Sequence, residues 1–117
     1  MDNLQEEYKE KVNIVIIYIS EAHAKDEWPI SHKNQTNQHT NLDERIIAAK
    51  QILNDYPSLR SKVFVDSFEE ENYENEFFGW PERAYLIKNN KIKYLSYHKV
   101  DGIDDWYDQV LRSLEKY

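Results

Sequence analysis

Apolar and polar residues fall along this chain in blocks whose spacing assigns most of its secondary structure. Residues 2–11, "DNLQEEYKEK", are polar apart from Leu4 and Tyr8, one turn apart, and predict a short helix. Val12 to Ile19 is rich in Ile and Val without alternation, the pattern of a strand covered on both faces, as in a parallel sheet. From Ser20 to Thr40 the chain turns polar, with many Asn, Gln and His, and predicts a long loop. Loops of that length inside compact domains are uncommon and often functional. A helix is expected from Leu42, with Asn41 as cap and Glu44 three residues on. Its apolar stripe is Leu42, Ile46, Ala49, Leu53 and Tyr56, with Arg45 on the polar side and Pro57 past the end.

Val63 to Val65 predicts a short buried strand, and residues 69–77, "EEENYENEF", one or two helical turns. Ala84–Ile87 and Ile92–Leu95 are two strands joined by Lys88-Asn89-Asn90-Lys91, and Asn-Asn tolerates the positive φ of a tight hairpin. Ile103, Trp106, Tyr107, Val110, Leu111 and Leu114 mark a final amphipathic helix. Alternating helices and strands in this order predict an α/β layer structure in one domain, residues 1–117.

Composition narrows the function classes. A net charge of −7 argues against a nucleic-acid partner, which needs a basic face. No apolar run reaches the ~20 residues of a membrane-spanning helix, so no membrane segment is expected and the cytoplasm is the default compartment. The chain has no Cys, hence no disulfide, thiolate metal site or cysteine nucleophile. His32 and His98 match no zinc spacing, and the acidic run 69–76 lacks the pattern of a calcium loop, so no metal is assigned.

The chemistry gathers where the Val12–Ile19 run ends. "VIIYISEAHAKDEW" passes from an apolar strand directly into Glu21 and His23, at the strand exit where sites of open α/β sheets collect. On extended chain these two residues point to one side and Tyr18 to the other. An imidazole can deliver a proton near neutral pH while a carboxylate orients it. Read as residues alone, Glu21 and His23 are better explained as polar strand-end positions, and Tyr18 is equally explained as a core tyrosine. Trp28 and Trp80 flank this region, either stacking on an aromatic substrate or packing in the core.

Four segments, in order and covering nearly the whole chain, carry a resemblance. "VIIYISEAHAKDEW" resembles the Tyr-Ile-x-Glu-Ala-His-x-x-Asp-Gly-Trp motif of the iodothyronine deiodinases. "QHTNLDERIIAA" resembles their His-x-x-Leu-x-x-Arg-x-x-Ala-Ala segment, "VFVDSF" their Val-Val-Asp strand, and "PERAYLIKNNKIKY" their Pro-Glu-Arg-x-Tyr hairpin. The resemblance implies a thioredoxin-like fold with a deiodinase-type insertion, in which Pro81 precedes the hairpin as a cis proline against the site. It implies reductive removal of iodide from an iodothyronine-like aromatic substrate, with a thiol reductant as co-substrate, no bound cofactor and a homodimeric state.

It also implies roles for residues. Tyr18, Glu21 and His23 match the family's proton-handling positions. His39 matches a histidine at the phenolic end of the substrate. Glu82, Arg83 and His98 fall at or near substrate-binding positions, and Pro81 and Arg45 at structural positions beside the site. Arg45 and Glu82 are equally explained by structural ion pairs, and His39 by a solvated loop. The loop after Tyr94, "LSYHKVDG", lacks the family's glycines, which puts hormone specificity in question. The family nucleophile is a selenocysteine, and no Cys or selenocysteine stands in this chain. The chain is therefore expected to be the C-terminal portion of the family domain, without the first core strand, the nucleophile loop and the N-terminal membrane anchor, and inactive alone. Omitting a central strand leaves unpaired edges. The alternatives are a non-enzymatic thioredoxin-like binding module and a relative of thiol peroxidases and peroxiredoxins.

Overall fold

The structure, a computed structural model, describes residues 2–29, 36–57, 59, 61–80, 83–96 and 106–117. The chain divides into two compact units, residues 1–77 and 78–117. The element order is the expected mixture of helices and strands.

In the first unit, α1 spans Asp2–Tyr8, β1 Val15–Tyr18, α2 Leu42–Asp55, β2 Lys62–Val65 and α3 Asn72–Glu76. The apolar pair of α1 behaves as its spacing requires, with Leu4 buried and Tyr8 half-buried. Gln5 beside Leu4 is also buried and donates to the Ser61 hydroxyl. The helix stops at Tyr8, whose carbonyl accepts from the amides of Lys11 and Val12, so the predicted last turn is a tight reversal.

β1 and β2 pair in parallel, with Val15 opposite Lys62 and Tyr18 opposite Val65. β1 is half as long as the apolar run predicts, because β2 offers only four residues of ladder. One further bond, from the Asp66 amide to the Tyr18 carbonyl, holds the two exits together. The expectation of a strand covered on both faces is corrected. Ile16, Tyr18, Val63 and Val65 share a half-buried face, whereas on the other only Ile17 is half-buried, with Val15 45% and Phe64 54% exposed.

α2 begins as predicted. The Asn41 side chain accepts from the Glu44 amide, while the Glu44 carboxylate reaches back to the Thr40 amide and hydroxyl at 2.7 and 2.8 Å. This capping box is displaced by one residue from its usual closure on the cap itself. The buried face differs from the predicted stripe. Arg45, Ala48 and Ala49 are buried, while Leu42, Leu53 and Tyr56 are exposed. Arg45 is thus on the inward side, not the polar one. Two alanines bring the helix backbone close to the strands, and the long arginine spans the space that remains.

In the second unit, β3 spans Tyr85–Lys88, β4 Lys91–Leu95 and α4 Trp106–Lys116. The strands form an antiparallel hairpin closed by Asn89 and Asn90 at φ 53° and 59°. Two successive residues with positive φ are what a two-residue type I′ turn needs. The register skips Lys93 between Leu86 and Ile87, a bulge. Ser96 at the end of β4 is buried and doubly tied to Ala84, through its amide to the carbonyl and from the Ala84 amide to its hydroxyl. α4 half-buries Tyr107, Val110, Leu111 and Leu114 as its periodicity predicts, and also buries Gln109, which accepts from the Tyr94 hydroxyl at 2.8 Å. Ile103 lies outside the described residues, as does Pro81 with its expected cis bond.

Candidate functional site

Parallel pairing puts the C-terminal ends of β1 and β2 side by side, so Tyr18 to Glu21 lie next to Asp66 and Ser67. His39 and Asn41 lead into α2. The first unit therefore brings three chain segments to one sheet edge, the place where open α/β sheets carry their sites.

Tyr18 is the hub. Its hydroxyl donates to the Glu21 carboxylate, and its oxygen lies 3.3 Å from His39 Nε2. The two rings are tilted, with centroids 5.4 Å apart. His39 is buried, which removes the solvated-loop alternative. Arg45 Nε donates to His39 Nδ1 at 3.4 Å. Glu21, Tyr18, His39 and Arg45 thus form one continuous hydrogen-bonded run. Extended-strand spacing places Tyr18 opposite Glu21. The structure joins them because β1 ends at Tyr18 and the chain turns, so extended-strand alternation no longer applies.

The remaining donors of Arg45 close the site from behind. Nη1 donates to the carbonyls of Asp66 and Ser67 at 3.2 and 3.3 Å, and Nη2 to the Glu71 carboxylate at 3.3 Å. The guanidinium also lies 5.2 Å from the Phe68 ring centroid. At 1% exposure, it is a buried charge whose hydrogen bonds all go to backbone or side-chain acceptors, which is how burial of a guanidinium is tolerated. Glu71 takes a left-handed φ of 45° at the start of α3.

In the sequence Asp66 stands out only as part of a strand segment, "VFVDSF". It is 2% exposed, and its carboxylate accepts from the amides of Ser67, Tyr73 and Glu74 at 3.0–3.1 Å. It thereby fastens the start of α3 to the end of β2. Glu74, so placed, accepts from the Ser20 hydroxyl at 2.7 Å and steadies the exit of β1. Gln38 is a further site residue. Its side-chain amide exchanges two bonds with the Glu21 backbone, at 3.2 and 3.0 Å, as a neighbouring strand would. An Asp directly after a strand and before a helical turn signals a cap, but nothing in the local sequence marks Gln38.

Burial sets the electrostatics. It raises the Glu21 carboxyl above its usual value by disfavouring the anion. It lowers His39 below the ordinary imidazole value, and the neighbouring Arg45 charge adds to that, while Glu44 acts in the opposite direction. The site thus gathers a carboxyl, an imidazole and a phenol within hydrogen-bond reach, the equipment of general acid–base chemistry.

His23 is placed differently. Its Nδ1 is 3.2 Å from the Trp28 carbonyl, and its ring lies 4.9 Å from the Trp28 ring. Trp28 is 65% exposed and Trp80 is exposed as well, so neither is a core tryptophan. Arg83 is half-buried in the second unit. Glu82 and His98, two of the expected substrate-binding residues, and His32 lie outside the described residues. Among the described residues, no group of three or more His, Cys, Asp or Glu is arranged to hold a metal, and no helix is long and apolar enough to cross a membrane.

Comparison with known proteins agrees with the motif-level resemblance. The family model described as iodothyronine deiodinase matches residues 1–117. The type I iodothyronine deiodinase of Xenopus laevis is 32% identical over 93 residues, covering 80% of this chain and 36% of that protein. The type II iodothyronine deiodinase of Petromyzon marinus is 34% identical over 85 residues, 71% of this chain and 29% of that protein. The thyroxine 5-deiodinase of Sparus aurata is 27% identical over 115 residues, 92% of this chain and 42% of that protein. The chain thus spans well under half the length of these relatives.

Proposed function

The chain belongs to the iodothyronine deiodinase family, and from that premise we propose that it is the proton-handling portion of a reductive dehalogenase acting on an iodothyronine-like aromatic. The observation that carries this reading is the hydrogen-bonded run Glu21–Tyr18–His39–Arg45 at the strand exit, half-buried at Glu21 and Tyr18 and buried at His39 and Arg45. In the proposed reaction an aryl C–I bond breaks and a C–H bond forms. The ring carbon takes a proton, and iodine passes as an iodonium equivalent to a selenol or thiol. A thiol reductant then returns it as iodide and is oxidised to the disulfide. These 117 residues contain no cysteine, so their part is the proton and the substrate, not the chalcogen.

Glu21 supplies the proton, oriented by the Tyr18 hydroxyl, and burial raises its carboxyl in the direction that role needs. His23 with the exposed Trp28 offers an aromatic and imidazole surface for the substrate rings. A thioredoxin-like arrangement and a homodimer complete the reading by analogy with the family, and a cytoplasmic location for this chain follows as the default of its composition. The cysteine-free composition favours one second reading, a binding module that holds the same aromatic without turning it over.

The test is titration of the isotope-labelled 117-residue chain with thyroxine, followed by NMR, beside an assay of iodide release with a dithiol. The expected result is shifts centred on Tyr18, Glu21, His23 and Trp28 and no iodide from this chain alone. No shifts, or shifts confined elsewhere, reject the substrate assignment. Iodide release by the pure chain rejects the division of labour.

A further inference from the structure

The direction of the hydrogen bonds at the site follows from what each group is able to donate. A guanidinium carries hydrogen on every nitrogen and does not lose its charge in proteins, so it only donates. Arg45 Nε lies 3.4 Å from His39 Nδ1, and Nδ1 must meet it with a lone pair. A neutral imidazole with a bare Nδ1 carries its single proton on Nε2. That nitrogen lies 3.3 Å from the Tyr18 oxygen. The tyrosine has one proton of its own, directed to Glu21. Every bond then points the same way, from Arg45 to His39 to Tyr18 to Glu21.

We infer that Arg45 is a positioning residue that locks His39 as a neutral Nε2–H donor to Tyr18, so that His39 orients the Tyr18–Glu21 pair and Glu21 is the member of the cluster that exchanges a proton. Protonating His39 would set an Nδ1–H against the Arg45 Nε–H, losing a bond and opposing two positive charges in a buried place. The groups facing His39 agree with this. From β1 comes the Tyr18 hydroxyl and from the turn after it Glu21. From α2 come Arg45 and Glu44, the latter exposed and already engaged by Thr40. Glu71 takes the far side of the guanidinium, and the Asp66 carboxylate is turned to the amides of Ser67, Tyr73 and Glu74. The lowered His39 and raised Glu21 affinities for protons have the directions this arrangement requires.

The catalytic bearing of this lock rests on the dehalogenase reading above; the tautomer itself does not, so the two fail separately. The experiment is a two-bond proton–nitrogen correlation spectrum of the nitrogen-15-labelled 117-residue chain at neutral pH, with His39 assigned by the signals lost in His39→Gln. The expected spectrum shows His39 Nδ1 as a bare, pyridine-type nitrogen and Nε2 as a protonated, pyrrole-type one, retained to a pH below the titration of a free imidazole. An Nδ1–H pattern, an averaged pair or an imidazolium at neutral pH overturns the lock. Arg45→Met is expected to collapse the preference to an average of both tautomers. Should that variant fail to fold, Tyr18→Phe decides: the Nε2–H form is expected to persist without the phenol oxygen. Its loss there assigns the lock to Tyr18 and overturns the role given to Arg45. Thyroxine binding in the same samples tests the substrate assignment independently of the tautomer.

Discussion

Arg45 and Asp66 are both buried and oppositely charged, yet they meet through the backbone. Arg45 Nη1 donates to the Asp66 carbonyl at 3.2 Å, while the Asp66 carboxylate turns away to three amides around α3. The arginine satisfies the end of β2, and the aspartate satisfies the start of the next helix. Each charge is used to hold backbone that would otherwise be buried without a partner.

Removing Arg45 should therefore be costly. Arg45→Ala leaves the Asp66 and Ser67 carbonyls short of a donor and frees Glu71. The Glu71 pair is partly exposed and contributes little, so the expected loss is about 2–3 kcal/mol, mostly from the two carbonyls and the lost packing. Urea unfolding checks it. A midpoint unchanged from the parent chain would contradict the picture.

Asp66→Ala strips three amides of their acceptor, with an expected cost of about 1–3 kcal/mol. Because the amides of Tyr73 and Glu74 lose their acceptor, hydrogen exchange there should accelerate more than in β1. Asp66→Asn keeps one acceptor oxygen and should fall between the parent and the alanine variant. Uniform acceleration across the first unit would mean that Asp66 is not a local cap.

The two perturbed groups of the site predict opposite pH trends. Glu21 has a folded pKa above 4.5, so the folded chain binds its proton more tightly than the unfolded one. Its contribution favours folding at low pH and is lost as pH rises from 4.5 through the folded value. Glu21→Gln should flatten that part of the stability curve, and carbon-13 titration of the Glu21 carboxyl should give a midpoint above 4.5.

His39 runs the other way. Its folded pKa lies below 6.5, so the unfolded chain binds the proton more readily. The stability it supports is present above 6.5 and is lost as pH falls from there through the folded value. His39→Gln should remove that slope while leaving the Glu21 slope in place. Chemical denaturation across pH separates the two, and a parent curve that rises with acidity around 6.5 would contradict the lowered value.

The hairpin offers a test on the second unit alone. Asn90 sits at φ 59°, where a β-branched residue is strained. Asn90→Val should cost about 1–2 kcal/mol, whereas Asn90→Gly should be neutral or slightly stabilising. Hydrogen exchange of the β3–β4 amides distinguishes a local opening of the hairpin from loss of the whole chain's structure.

Local chemistry determined much of this protein from the sequence alone. The order of helices and strands, the Asn41 cap, the two-residue Asn-Asn turn and the family motifs all depend on neighbours within a few positions, and each is readable as such. The tertiary structure decided what depends on distant partners. β1 stops at Tyr18 because β2 supplies only four residues to pair with, and that early end brings Glu21 round to the Tyr18 hydroxyl. Arg45 looks polar on a helical wheel, but the carbonyls at the end of β2 draw it inward. Gln38 reaches Glu21 across a loop whose sequence gives no sign of the pairing. Periodicity reports which side of an element is apolar; it does not report where a buried backbone group elsewhere in the chain needs a donor, and the site is built from those needs.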